Sequence, residues 1–156
     1  MGLDSYLNAR RYVSSAKWAS DNGKTYAKLR SLAGVKAEDV PVPYPHGTIT
    51  INVAYWRKAN AIHKWFVDNV QEGKDDCKPY YVSREQLGVL LGLCQDILKG
   101  VRGSEDLPTQ NGFFFGDTDY GECYKADLES TVKQLTAILT CPAFLKDWDF
   151  EYQASW

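Results

Sequence analysis

Residues 48–70, TITINVAYWRKANAIHKWFVDNV, contain two kinds of periodicity in succession. In residues 48–56 the β-branched side chains alternate with polar ones, which predicts a strand with Ile49, Ile51 and Val53 on one face. From about Arg57 to Gln71 the apolar residues recur every three or four positions, which predicts a helix with one face in the core. The stretch thus predicts a sheet strand that passes directly into a packed helix.

The remainder of the chain supplies further elements of the same two kinds. Alternating residues in 3–13 and 147–152 predict a strand at each end, and KPYYVS (78–83) predicts a short third one. Ser83 and Gln86 form a capping box before an apolar stripe that extends from Leu87 to Val101, and a further helix is predicted over 120–139. We expect an α+β fold: a single small sheet with about three amphipathic helices packed on one face.

The length of 156 residues favours a single domain over 1–156. Within it, residues 14–47 form the least regular region and are predicted to be irregular or insertion-like. The segment KTYAKLRSLAG there is compatible with a short helix closed by Gly34. VPVPYPHG follows and contains three of the chain's six prolines, which predicts an extended connector.

Charge and cysteine content limit the class of function. The net charge of −2 argues against nonspecific nucleic acid binding. Residues 1–64 contain ten Lys/Arg and four Asp/Glu, and residues 65–156 contain eight and sixteen, so a basic patch on an acidic protein is compatible with the sequence. The four cysteines are widely spaced, and we expect neither a metal nor a cofactor. No signal peptide or long apolar run is present, which predicts no membrane association and a cytoplasmic location with reduced thiols.

The strand-to-helix junction also contains the candidate ligand-binding residues. These are polar or aromatic side chains bordering the buried stripe of the predicted helix: Trp56, Arg57, Lys58, Asn60, His63 and Lys64. Cations bind phosphate oxygens, an amide and an imidazole bind polar edges, and an indole stacks on a ring, which together suit a phosphorylated, ring-bearing ligand. The alternative is that the same residues are ordinary core anchors and solvated charges beside an amphipathic helix.

A second group of candidates lies in GDTDYGE, residues 116–122. Asp117 and Asp119 are candidates for ligand binding or, with Glu122, for Mg²⁺ coordination. Capping of the following helix by Asp119 and Glu122 explains the same residues without a ligand. Arg10, on the first predicted strand, is a further candidate cation for the site, or a solvent-facing charge on a strand.

Several long blocks of the sequence resemble a family of small proteins encoded by bacteriophages and prophages. The blocks are MGLDSYL, YWRKANAIHKWFVDNVQ, DDCKPYYVSREQL, LPTQNGFFFGDTDY and DFEYQASW, and they cover most of the chain outside 14–47. The resemblance implies a viral protein made in the host bacterial cytoplasm. It implies no particular activity.

From these observations we expect a phage-encoded binding protein, a counter-defence or host-modulating factor that captures a small phosphorylated, nucleotide-like ligand. One alternative is a small nucleotide-acting hydrolase or transferase with His63 as the general base and Asp117 or Asp119 either orienting it or holding a metal. Another is an inhibitor that binds a host defence protein through its Trp-rich face. Assembly into a homo-oligomer is left open.

Overall fold

The computed structural model describes residues 2–16 and 22–156. The chain forms two compact units, one made of Met1–Ala9 with Asn52–Trp156 and the other of Arg10–Ile51. The segment 14–47, predicted to be irregular or insertion-like, lies within the second unit, and its residues 17–21 are outside the described residues.

One antiparallel sheet of four strands has the order β2-β1-β4-β3. The strands are β1 (Asp4–Ser14), β2 (His46–Arg57), β3 (Tyr80–Val82) and β4 (Asp149–Ser155). In β4, buried Phe150, Tyr152 and Ala154 alternate with more exposed residues. One face of the strand is therefore in the core, as the period of two requires.

Three helices of the first unit complete the core: α2 (Asn60–Asn69), α3 (Arg84–Leu98) and α4 (Glu122–Thr140). Their buried side chains join those of the sheet in one hydrophobic cluster. The predicted α+β class, a small sheet with amphipathic helices on one face, is confirmed.

The start of α3 follows its sequence signal closely. Ser83 Oγ accepts the Gln86 N–H at 3.0 Å, and the Gln86 side chain accepts the Ser83 N–H at 2.9 Å, so the predicted capping box is formed. Leu87, Leu90 and Cys94 are buried along one side. The predicted stripe is wrong at its far end, because the helix ends at Leu98 and Val101 is exposed.

Two other predictions fail at the ends of elements. The helix expected from Arg57 begins only at Asn60, because Lys58 has a left-handed backbone with φ 59° that separates β2 from α2. Residues 113–115, in the loop before α4, form a turn in which Phe113 is 94% exposed and Phe115 is buried. The N-cap of α4 is Gly121, without a side-chain cap, so Asp119 and Glu122 do not form the predicted capping box.

The second unit contains α1 (Asn22–Leu32) and a 3₁₀ turn at Ala37–Asp39. The short helix expected from KTYAKLRSLAG is therefore confirmed, and Gly34 follows it with φ 71°. Tyr26 is its buried residue, and Arg11 donates a 3.2 Å hydrogen bond to Asn22 Oδ1. Across the described parts of the chain, no helix is both long and apolar enough to cross a membrane.

Candidate functional site

A cavity of about 320 Å³ in the first unit collects four of the predicted site residues. The end of β2, the start of α2, the loop before α4 and the first turns of α4 contribute to its wall. Its lining includes the predicted Arg57, Lys58, Asn60 and Asp117. We call it the cationic cavity, after the first two of these residues.

Arg57 is held at the cavity edge by groups on the exposed face of the sheet. Its guanidinium lies 3.5 Å from Asp4 Oδ1, and the Tyr55 hydroxyl donates a short hydrogen bond to the same oxygen. The hydrogen bond with Tyr55 and the charge of Asp4 raise the pKa of Arg57. The side chain is 59% exposed, so this cation is oriented but still accessible to a ligand.

Lys58 is placed by its backbone. Its N–H donates to Leu3 O at 2.7 Å, and its carbonyl accepts the Asn60 N–H at 2.9 Å. Gly116 packs against it with φ 89°, and a Cβ at that position would lie 3.0 Å from Lys58 Cβ. The Lys58 ammonium is exposed and makes no hydrogen bond or ion pair within the described part of the chain, so its charge is available to a ligand.

Asn60 has a positioning role. It is 3% exposed, and its amide nitrogen donates to Phe115 O at 3.1 Å and to Asp117 O at 2.7 Å. Its Oδ1 accepts the Gln110 N–H at 3.0 Å. The sequence predicted that Asn60 would bind the polar edge of a ligand. Both of its amide donors are instead used within the protein, and the side chain fixes the loop that forms the cavity wall.

Asp127 is a cavity residue that the sequence analysis missed. It lies in the second turn of α4 and is half-buried, and this burial raises the pKa of its carboxyl to about 6. Cys123, one turn earlier, and Thr109 also line the cavity. Residues four positions apart on a helix, such as Cys123 and Asp127, lie on the same face. Nothing in the sequence indicated that this face of α4 lines the same cavity as Lys58.

Of the two aspartates predicted in 116–122, only Asp117 lines the cavity. Its Oδ1 accepts the Asp119 N–H at 3.1 Å, which makes a local turn. Glu122 begins α4. Within residues 2–16 and 22–156 no group of three or more His, Cys, Asp or Glu side chains is arranged to hold a metal ion.

Trp56 is a core residue and not a stacking surface for a ligand. It is 3% exposed, its Nε1–H donates to Thr131 Oγ1 at 2.9 Å, and its ring lies 5.8 Å from that of Phe66. Trp65 is only 7% exposed. The Trp-rich face expected to anchor a host protein is therefore largely inside the fold.

His63 lies in a buried polar chain away from the lining of the cationic cavity. It is fully buried; Nδ1 is 2.8 Å from the Tyr152 hydroxyl and Nε2 is 3.0 Å from Asp75 Oδ2. Tyr152 also contacts Ser5 Oγ at 3.0 Å, and burial raises the pKa of Tyr152. Since both ring nitrogens are engaged, His63 does not contact a ligand in that cavity, either as a binding group or as a general base.

The last two predicted cations also have other surroundings. Lys64 is on α2 and forms a 2.7 Å ion pair with Asp68 one turn later, outside the cavity lining. Arg10 belongs to the second unit, on β1, where it has contacts of its own. The candidate site of the first unit is thus smaller than predicted and has a different composition.

Comparison of the chain with protein-family models, curated proteins and solved structures finds no match. The function of the protein is therefore inferred from the geometry of the cationic cavity and from the chemistry of its side chains.

Proposed function

We propose that the protein binds a small phosphorylated ligand in the cationic cavity. The observation that carries the proposal is the junction of β2 and α2, where Arg57 and Lys58 lie side by side at one cavity and the Lys58 ammonium has no partner within the described residues. Arginine offers a planar fork of donors to phosphate oxygens, and lysine offers a compact charge.

The carboxyl of Asp127 supports the same ligand chemistry when it is protonated. With a pKa of about 6, a substantial fraction of Asp127 is neutral near pH 6 and can donate its O–H to a phosphate oxygen. An ionised Asp127 would instead repel the ligand. Binding of a phosphate is therefore expected to take up a proton and to strengthen as the pH falls from 7.5 to 5.5.

The phosphoryl group is the part of the ligand that the cavity recognises best. The indole expected to stack on a base, that of Trp56, is buried against Phe66. Tyr124 lines the cavity but is only 7% exposed, with its hydroxyl donated to Leu107 O at 3.0 Å. A nucleotide would thus be held mainly through its phosphates.

The biological context of the proposal comes from the resemblance of the sequence blocks to phage and prophage proteins. A phage protein that captures a phosphorylated signal in the host cytoplasm would lower the free concentration of that signal. We therefore propose a counter-defence or host-modulating role. Counting phage progeny in a host with and without the gene tests this part, and equal yields in hosts with intact nucleotide-signalling defences would refute it.

The binding proposal is tested by calorimetric titration with pyrophosphate, AMP, ATP and cyclic dinucleotides at fixed ionic strength. Lys58→Gln is expected to weaken binding by about tenfold, because a charge-assisted hydrogen bond is lost. Lys64→Gln is the matched control, since Lys64 is paired with Asp68 and does not line the cavity. Its affinity is expected to stay within twofold of the wild type.

Two results would overturn this proposal. One is the absence of binding by every phosphorylated compound in the panel at millimolar concentration. The other is an equal loss of affinity in Lys58→Gln and Lys64→Gln, which would show that binding depends on overall charge and not on the cavity.

Turnover of the bound ligand is a second candidate, favoured by the half-buried Asp127 carboxyl inside the cavity. A group with a pKa near 6 can act as a general acid toward a leaving oxygen. Hydrolysis of ATP with release of phosphate, or hydrolysis of a cyclic dinucleotide to its linear form, would support this function if it were abolished in Asp127→Asn while binding remained. Intact ligand after long incubation with the protein would exclude it for that ligand.

A further inference from the structure

A second cavity of the first unit has a different chemistry. Its volume is about 250 Å³, and it is lined by residues 110–115 of the loop before α4, by Asp75 and by Trp156. Three phenylalanines and one tryptophan contribute to the wall, and no lysine or arginine does. We call it the aromatic cavity.

Among the described residues, Asp75 is the only acidic side chain that lines this cavity, and two neighbouring groups hold it. Asp75 Oδ1 accepts the Trp156 Nε1–H at 3.0 Å, and Oδ2 is 3.0 Å from His63 Nε2. In the tautomer that carries its proton on Nε2, His63 donates this hydrogen bond, and the carboxylate oxygen accepts it. The Asp75 side chain is 21% exposed, and its orientation is fixed because His63 itself is buried and bonded to Tyr152.

Two rings of the aromatic cavity are accessible to a ligand. Phe113 is 94% exposed and Trp156 is 48% exposed. Phe113 packs edge-on against Phe114 with centroids 4.7 Å apart, and Phe115 packs against Trp156 at 6.0 Å. A cavity wall of this kind presents both ring faces and ring edges, next to one oriented negative charge.

We propose that the aromatic cavity binds the quaternary ammonium group of a small organic cation. Aromatic faces attract such cations through the ring quadrupole, and an adjacent carboxylate adds a direct charge interaction. A small metal ion is a poorer occupant, because Asp75 is the only acidic side chain that residues 2–16 and 22–156 contribute to the lining, and both of its oxygens already have hydrogen-bond partners. A weakly hydrated alkylammonium group needs no such set of oxygen ligands.

The test compares choline with 3,3-dimethylbutan-1-ol, its uncharged isostere, by calorimetric titration of the full chain at fixed chloride concentration. We expect saturable binding of choline and at least tenfold weaker binding of the isostere. Asp75→Asn keeps the shape of the side chain and is expected to weaken choline binding by at least tenfold. Asp76→Asn is the matched control, because Asp76 pairs with Lys78 at 2.9 Å and does not line the cavity.

A surface variant keeps the test decisive if Asp75→Asn fails to fold. Phe113→Ala removes an exposed ring, and we expect it to weaken choline binding by about two- to fivefold, the range of an exposed cation–π contact. Tyr81→Ala, which removes a 66% exposed ring on β3, is its control and is expected to bind choline as the wild type does. Circular dichroism confirms that each variant is folded.

The proposal is overturned if choline does not bind, if the isostere binds equally well, or if folded Asp75→Asn and Phe113→Ala both keep wild-type affinity. It does not depend on phosphate binding. Lys58→Gln is expected to leave the affinity for choline unchanged, so the two cavities are tested separately.

Discussion

The cationic cavity and the aromatic cavity are built from different residues of the same loop before α4. Thr109, Gly116 and Asp117 line the first, whereas residues 110–115 line the second. Arg57 and Lys58 add positive charge to one, and Asp75 adds negative charge to the other. A single irregular segment thus separates two sites of opposite preference, and its shape matters to both.

The charged groups of the two cavities also differ in how they are held. Asp75 accepts hydrogen bonds at both carboxylate oxygens, whereas the Lys58 ammonium has no partner in residues 2–16 and 22–156. An oriented charge suits a ligand of fixed geometry, and an exposed lysine adapts to ligands of several shapes. We infer that the aromatic cavity is the more selective of the two.

The largest expected effect comes from Asn60→Ala, because Asn60 holds the shared loop through three hydrogen bonds. Loss of these three hydrogen bonds, one of them buried and two partly buried, is expected to lower the free energy of unfolding by about 3 kcal/mol. Binding of pyrophosphate and of choline should weaken together. Urea unfolding and the two titrations measure these effects.

Asn69→Ala is the control for Asn60→Ala on the same helix. Asn69 donates only one side-chain hydrogen bond, to Trp65 O at 2.8 Å, and is exposed. We expect a loss below about 1 kcal/mol. Similar losses in the two variants would contradict the role of Asn60 in holding the loop.

The next largest effect is expected for His63→Phe, which should affect ligand binding in the aromatic cavity and not in the cationic cavity. The substitution retains a ring but removes the contacts with Tyr152 and Asp75, and should cost about 2 kcal/mol of unfolding free energy. Choline binding should weaken because Asp75 loses a donor, while pyrophosphate binding should stay within twofold. His46→Phe, at the chain's other and exposed histidine, should leave stability and both affinities nearly unchanged.

An equal effect of His63→Phe on the two ligands would contradict the separation of the cavities. So would full retention of stability, since buried partners left without a hydrogen bond are costly. Urea unfolding and the titrations with pyrophosphate and choline measure both outcomes.

A smaller effect is expected for Asp127→Asn, and it depends on pH. The folded-state pKa of about 6 lies above the ordinary aspartate pKa of 3.8, so the stabilising contribution of the protonated carboxyl is complete below about pH 3.8 and is lost as the pH rises through 6. At pH 7.5 the variant should be more stable than the wild type by about 1–2 kcal/mol, after allowance for partial solvent screening. The difference should shrink toward pH 4.

Urea unfolding at several pH values measures the Asp127 effect. Glu129→Gln, at an exposed position on the same helix, should show no comparable pH dependence. If the difference in unfolding free energy between the wild type and Asp127→Asn stayed constant between pH 4 and 7.5, the raised pKa of Asp127 would be ruled out.

The smallest effect is expected for Lys64→Gln. The Lys64–Asp68 pair is an i,i+4 ion pair near the surface, so its removal should cost no more than about 0.5 kcal/mol and less at high salt. Pyrophosphate affinity should be unchanged. A loss of pyrophosphate affinity as large as that of Lys58→Gln would show that Lys64 also belongs to the binding site, and that the site extends beyond the present lining of the cationic cavity.

Several elements could be predicted because their signals are local. The alternation of β4 and the capping box of Ser83 and Gln86 involve residues close in sequence, and both are observed. The faces of α2 could not be predicted from its apolar stripe, because Asn60, His63 and Trp65 are buried along with that stripe. An amphipathic pattern identifies one buried face and cannot show that the opposite face is covered too.

The sequence by itself determined the α+β class, the order of most elements and the concentration of cations where β2 meets α2. Only the tertiary structure decided which of those side chains are available to a ligand. Asn60 and His63 have their hydrogen bonds satisfied inside the protein, whereas Lys58 turns outward beside Asp127, a residue 69 positions away in the chain. Hydrogen-bond partners and burial are set by packing between distant segments, and no local pattern of residues contains that information.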